Sequence, residues 1–294
     1  MRKLVFAGPV CLLAMLFAVA PSAEAQSLGS CQLQGTANFS PGLTNNAQNF
    51  SYNFAGGLSG CQSSTSAAPT SGSVEAGRTI TTPYNWSYTD STTLAAAASA
   101  GSPTISTAGS EGSVPTQTSG TVVTIDPGTS IAETRTVSAV SGTGPYTETL
   151  SSALSFSHAA GAAVTGAHSG SATATYQEPI PTGNGSCGSS TTSGTAIANW
   201  ADGTTTVVGY ATSGAAAAVE LTGSVVASVD DTLASYTGPT KAPPAPTHTV
   251  NTTRNAGQSA FGQLFFQPPD PTACAGAGVT TAAISGAISL GSPQ

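Results

Sequence analysis

Charge is what this sequence has least of. Of its 294 residues 6% are charged, six of them basic, and three histidines complete the set of potential cations. Six basic groups cannot neutralise many phosphates, so nucleic acid is excluded as a partner. The shortage of Glu, Lys and Arg also excludes coiled coils and long solvated helices. Aromatic residues stand at 6%, which leaves few large groups from which to build a core. Beyond the N-terminal segment no run of 18 apolar residues occurs, so no later helix is expected to span a membrane. Disordered chains are charge-rich and apolar-poor, whereas 39% of this one is hydrophobic.

What is abundant is small. Ala, Gly, Ser and Thr make up 166 of the 294 residues. Thr brings β propensity without charge, and Gly with Pro brings turns. The N-terminus reads differently. Arg2 and Lys3 precede an apolar stretch from Leu4 to Ala20, and Ala23-Glu-Ala25 offers the small residues of a signal-peptidase site. Residues 1–25 are therefore expected to be a cleavable signal peptide, cut after Ala25, and the protein to be secreted. Its removal leaves four basic and twelve acidic residues, a net charge of −8.

Cys11 leaves with that segment, and Cys31, Cys61, Cys187 and Cys274 remain. An even number in an exported chain reads as two disulfides. Four cysteines allow three pairings; order along the chain suggests Cys31–Cys61 and Cys187–Cys274. Zinc is disfavoured because no two cysteines stand at C-x-x-C spacing.

Strand signals dominate the remainder. The clearest hairpin runs from Thr195 to Trp200, turns at Ala201-Asp-Gly203, and returns from Thr204 to Tyr210, since Asp-Gly tolerates positive φ. Similar alternation marks Cys31–Ala37, Phe50–Phe54, Ala218–Thr222, Ser224–Val229, Gly262–Gln267 and Ala282–Leu290. Thr237–Thr249, with four prolines, reads as an extended loop. All four remaining cysteines fall in residues 26–78 and 183–294, and none in 79–182. The expected organisation is a discontinuous β domain from 26–78 and 183–294 that carries an inserted β module at 79–182.

Two resemblances go with this division. Ser30-Cys-Gln-Leu-Gln-Gly-Thr-Ala37, Gly183-Asn-Gly-Ser-Cys-Gly-Ser-Ser190, Trp200-Ala-Asp-Gly203 and Phe266-Gln-Pro-Pro-Asp-Pro-Thr-Ala-Cys274 resemble a family of exported actinobacterial β-rich proteins of uncharacterised function. That resemblance implies a compact secreted β domain and brings no chemistry. In the middle, Val122-Val-Thr-Ile-Asp-Pro-Gly128, Ala132-Glu-Thr-Arg-Thr-Val137 and Ser157-His-Ala-Ala-Gly-Ala-Ala-Val164 are similar to a small β module of bacterial secreted and phage surface proteins. It implies scaffold or display.

Catalytic patterns are weak. His158, His168 and His248 lack metal-ligand spacing, and His158 reads as a structural residue at a turn. No Gly-x-Ser-x-Gly elbow occurs. Among carboxylates, Glu133, Asp202, Glu220, Asp230, Asp231 and Asp270 form no acid pair suited to glycoside hydrolysis, and Asp230-Asp231 reads as a solvated charge pair at a strand end. Trp200, Phe265 and Phe266 are expected to fill the core. Tyr84, Trp86 and Tyr88, in Tyr84-Asn-Trp-Ser-Tyr88, are bulky groups in a small-residue chain that, if exposed, could stack on sugars.

The sequence thus predicts an all-β, sandwich-like, disulfide-stapled domain with an inserted β module. No catalytic residue, cofactor or metal is expected. The expected role is that of a non-enzymatic extracellular or cell-envelope protein working through surface contacts with a glycan or protein. A carbohydrate-binding module using Tyr84, Trp86 and Tyr88 is one alternative, and a secreted hydrolase with an unrecognised carboxylate site is another.

Overall fold

The computed structural model describes residues 27–64, 68–109 and 119–291; the expected signal peptide lies outside the described residues. The fold is all-β. Three strands open it: β1 (Ser27–Leu43), β2 (Gln48–Ser63) and β3 (Gly72–Ala76). Then come β4 (Thr79–Thr93), β5 (Thr104–Thr107), β6 (Val122–Ile125), β7 (Glu133–Ser141), β8 (Tyr146–Leu150) and β9 (Ala163–Gln177). The chain continues through β10 (Thr182–Gly185), β11 (Ser189–Trp200), β12 (Thr205–Ala215) and β13 (Ala218–Val226). It ends with β14 (Ser228–Tyr236), β15 (Thr247–Asn251), β16 (Ser259–Gln267) and β17 (Val279–Gly291).

The first sheet closes on itself. Its order is β1-β17-β16-β13-β12-β11-β10-β2, and β2 pairs back onto β1. Every ladder in this circuit is antiparallel. One of the eight positions is filled by two short strands: β10 lies between β2 and β11 at Gln48–Ser51, and β3 lies between them at Phe54–Leu58. The all-β, sandwich-like, disulfide-stapled expectation holds, and the β1–β2 pairing joins the facing walls into a closed barrel. Closure removes the sheet edges, and eight strands leave an interior wide enough for side chains or one small ligand.

Period-2 alternation decides which residues face inward. Along β16, Ala260, Gly262 and Leu264 are buried while Phe261, Gln263 and Phe265 are exposed. Phe265, expected in the core, is 53% exposed, because its neighbour Phe266 takes the inward position and two consecutive strand residues cannot share a face. The hairpin expected at Asp202-Gly203 is the β11–β12 turn, with Gly203 at φ 81°. Disulfides tie the two ends. Cys31–Cys61 links β1 to β2, and Cys187–Cys274 links the approach to β11 with a short 3-10 helix, Pro271–Ala275, that precedes β17.

Between β3 and β10 the chain leaves the barrel wall and forms an arm. β4 and β9 pair from Thr79–Gln177 to Thr93–Ala163, and β5 to β8 build a module at the far end. That module has a solid core: Val123, Ile125, Val137 and Val164 are each fully buried, with Leu94, Ile105, Leu150 and Leu154 packed around them. One segment sits elsewhere than expected. β14 and β15, from within 183–294, belong to the arm's sheet rather than the barrel, because β9 offers an open edge at Ala174–Gln177 on which β14 pairs. Val229 and Val250 of this pair pack on Ile197 and Val207, which face outward from the barrel wall.

Candidate functional site

The barrel is hollow. Its interior contains a cavity of about 260 Å³. Leu33 and Phe39 reach it from β1, Phe50 and Phe54 from β2, and Val208 from β12; Leu221 of β13 and Ile284 of β17 complete the wall. The burial pattern reports the same hollow independently. Val208, Val219, Leu221, Ile284 and Ile288 point inward, yet each remains half-buried. Glycine shapes the wall at Gly35 and Gly56, which face each other across β1 and β2. A Cβ on either would lie 2.5–2.7 Å from the ring of Phe54, so both positions must be glycine for that ring to sit against the wall.

One end of the hollow is floored by aromatics. Phe39 meets Phe50 and Phe266 edge to face, with centroids 5.8 and 5.9 Å apart, and Leu43, Val279 and Ala282 pack beneath them beside Cys187–Cys274. Toward the other end lies Trp200. It is half-buried against the core as expected, and its Nε1–H donates to Thr206 Oγ1 at 2.9 Å. The interior is not purely apolar. Tyr52 Oη lies 2.6 Å from Tyr210 Oη and 3.1 Å from Thr192 Oγ1, and Thr192 Oγ1 lies 2.7 Å from Thr212 Oγ1. Burial raises the pKa of both tyrosines, so these hydroxyls keep their protons.

Tyr84, Trp86 and Tyr88 share one face of β4, all half-buried. Their ring faces are used within the molecule. Trp86 stacks on Tyr88 at 5.7 Å, and Tyr88 stacks on His168 at 4.7 Å. The indole of Trp86 covers Gly170, where a Cβ would come within 2.5 Å of it. The Pro-rich loop crosses the same face: Tyr84 abuts Gly238, and Lys241 sits over Tyr88 and pairs with Asp90. The loop is shorter than the sequence predicts, because Thr247–Asn251 pairs with β14.

The carboxylates scatter. Glu220 is exposed on β13, Asp202 caps the β11–β12 turn and pairs with Arg254, and Asp270 caps the 3-10 helix through Thr272. Asp230 is exposed and accepts a hydrogen bond from Thr249. Asp231 departs from the solvated pair expected: it is fully buried, 3.5 Å from His248, in the seam between arm and barrel. Glu178 is buried at the arm's root, where its Oε2 accepts the Arg78 N–H at 3.0 Å. Burial raises its pKa to about 7 and that of Asp231 above its ordinary value.

A second constellation escapes sequence reasoning. His158, in the arm's module, is 2% exposed and binds two carboxylates, Asp126 through Nδ1 at 2.6 Å and Glu133 through Nε2 at 2.7 Å. Glu133 also pairs with Arg135 and accepts the N–H groups of Ser155 and Phe156. Burial alone would lower the His158 pKa, but the two carboxylates outweigh it and raise it. The imidazole is enclosed, and its two bonds tie the β8–β9 loop to Asp126 and to the start of β7. The partners lie 25 and 32 residues from the histidine, so no local motif announces them. Among the described residues, no group of three His, Cys, Asp or Glu is placed to hold a metal, and no helix is long and apolar enough to cross a membrane.

No family model matches the chain, and no curated protein matches it. The resemblances noted above rest on their quoted motifs alone. Among solved structures, a chain described as phage phi92 endosialidase is similar at TM-score 0.21 and 8% identity. The alignment covers 88% of this chain and 58% of that one. A likeness at that TM-score carries no argument.

Proposed function

We propose that this protein is a secreted, non-enzymatic binding protein of the extracellular space or cell envelope that holds a small apolar ligand inside its barrel. The observation that carries this reading is the hollow of about 260 Å³ with its aliphatic and aromatic wall. An engineered apolar cavity of about 150 Å³ already takes up benzene. At about 24 cal/mol per Å³, an apolar guest that filled the hollow would regain contacts worth about 6 kcal/mol, comparable to the stability of a whole domain. Two disulfides suit an oxidising compartment.

The test is uptake of N-phenyl-1-naphthylamine, a neutral dye that fluoresces in apolar surroundings, by the oxidised protein. Saturable binding at one site is expected, together with its loss in Ala196→Phe, which places a ring in the lumen. Dye binding that is absent, or unchanged by Ala196→Phe, would refute the reading.

A further inference from the structure

The cavity's polar groups narrow what the ligand is. Tyr210, Tyr52, Thr192 and Thr212 all line the lumen and form one linear chain of hydroxyls. Four hydroxyls carry four donor protons, and three hydroxyl–hydroxyl contacts use three of them. However the donors are oriented, one of the four protons has no acceptor within the chain. Gln62, Ser190 and Ser289 also line the cavity, and another polar pair in the wall is complete by contrast. Trp200 Nε1–H donates to Thr206, and the Thr206 hydroxyl donates to the Arg254 carbonyl at 3.0 Å.

Charge sets a second limit. Arg254 is the one cationic side chain lining the cavity among the described residues, and its guanidinium is held by Thr204 and Asp202. Its charge is thus paired with Asp202, and no other cationic side chain lines the cavity among the described residues. Glu178 lies close enough to act on the Tyr210 hydroxyl electrostatically, and when ionised it repels an anion there. A buried donor rewards an acceptor and penalises a guest that lacks one, while an unpaired buried charge is costly.

We infer that the ligand is a neutral amphiphile, an alkyl or aryl body bearing one acceptor oxygen such as an ester carbonyl, which accepts the uncommitted proton of the Tyr210–Tyr52–Thr192–Thr212 chain. This inference rests on the proposed function. The acceptor sits near the aromatic floor, and the body runs toward Cys31–Cys61 along Leu33, Leu264 and Ile288. Free fatty acids of the same length are poor ligands, because the lumen offers a hydroxyl proton but no counter-ion.

The experiment compares octane, octyl acetate and octanoate at pH 7 as competitors of the naphthylamine dye. The proteins are the oxidised wild type and the isosteric variant Tyr52→Phe/Thr192→Val/Tyr210→Phe/Thr212→Val. The variant keeps the lumen's shape and removes the whole chain, so no buried hydroxyl is stranded. In the wild type octanoate should bind at least tenfold more weakly than octyl acetate. The preference for octyl acetate over octane should fall about tenfold in the variant, the size of one buried hydrogen bond. An unchanged preference, or octanoate binding as well as the ester, overturns the inference and leaves the apolar receptor standing. Failure of the dye and all three competitors to bind the wild type overturns both. A measurement that needs no variant is the infrared carbonyl band of bound octyl acetate: it should lie below its position in octane, and a band at the octane position overturns the inference.

Discussion

The barrel and the module at the end of the arm are made from the same small, weakly charged residues and are packed in opposite ways. In the module the inward side chains of β6, β7 and β9 meet: Val123, Ile125, Val137 and Val164 have no accessible surface. In the barrel the inward side chains of β12, β13 and β17 are less completely covered, and Val208, Leu221 and Ile284 stay half-buried. The module has no cysteine, and a histidine bound to two carboxylates locks its loops. The barrel keeps its ends together with two disulfides. The lesson concerns what a wall needs. A module that fills its interior can rely on packing and one ionic lock, whereas a wall around a hollow lacks part of that packing and is held covalently.

Reduction should separate the two most strongly. The disulfides close loops with sequence separations of 30 and 87 residues, together worth roughly 8 kcal/mol by loop-closure entropy, which is most of a domain's net stability. Under reductant the barrel's calorimetric transition should collapse, while the amides of Val123, Val137 and Val164 stay protected from hydrogen exchange. Simultaneous loss of both signals would show that the arm depends on the barrel and end the comparison. The converse perturbation is His158→Ala. Removing the imidazole strands Asp126 and Glu133, at a cost of about 3–5 kcal/mol. Protease cleavage should then appear between residues 98 and 160, with the barrel still able to bind dye; cleavage in the barrel instead would argue against a local lock.

Parts of this difference are legible in the sequence. The alternation of Cys31–Ala37, Thr195–Tyr210 and Gly262–Gln267 marks wall strands, and the absence of cysteine from 79–182 marks the arm. Closure is not legible, because it depends on β2 pairing with β1 as well as with β10 and β3, and alternation describes a sandwich and a barrel equally well. Nor is the hollow: an inward Leu221 reads the same whether it meets a neighbour or a ligand. Phe265 and Phe266 could not both be core on one strand, a limit that alternation did contain. Asp231 reads as a surface acid because its cover, β14 against the barrel wall, comes from tertiary packing. The Asp126–His158–Glu133 lock is assembled from two loops and the first residue of β7 and leaves no spacing to find.

Core substitutions should sharpen the contrast in packing. Ile125→Ala, in the solid core, is expected to cost about 2–5 kcal/mol in chemical denaturation. Ile284→Ala, which enlarges a hollow that already exists, should cost about 1–2 kcal/mol because its side chain is only partly buried. Additions should act with opposite signs. Val137→Leu overfills the module and costs about 1–3 kcal/mol, whereas Ala196→Leu fills lumen space and stabilises the barrel by about 0.5–1 kcal/mol while weakening dye binding. Equal penalties for both additions would mean that the barrel is as tightly packed as the module.

Acidity distinguishes the two regions by smaller amounts. In the module, burial opposes ionisation of Glu133, yet the Ser155 amide, His158, the Phe156 amide and Arg135 hold its pKa below 4.5, and that of His158 is raised above 6.5. The Glu133 contribution is complete above pH 4.5 and lost as pH falls through its folded value. The His158 contribution is complete below pH 6.5 and lost as pH rises through its folded value. The module should therefore be most stable between about pH 4.5 and 6.5. The seam behaves differently. Burial lifts Glu178 from 4.5 to about 7 and raises Asp231 as well, so both favour folding when protonated. Their contribution is complete below the ordinary carboxyl range and is lost as pH rises through the folded values. For Glu178 this amounts to about 1–3 kcal/mol between pH 5 and 8. Glu178→Gln is neutral at every pH and should flatten the barrel's melting temperature over that interval while leaving the module's optimum in place. A variant whose barrel still weakens as steeply as the wild type would assign the pH response to groups outside the seam.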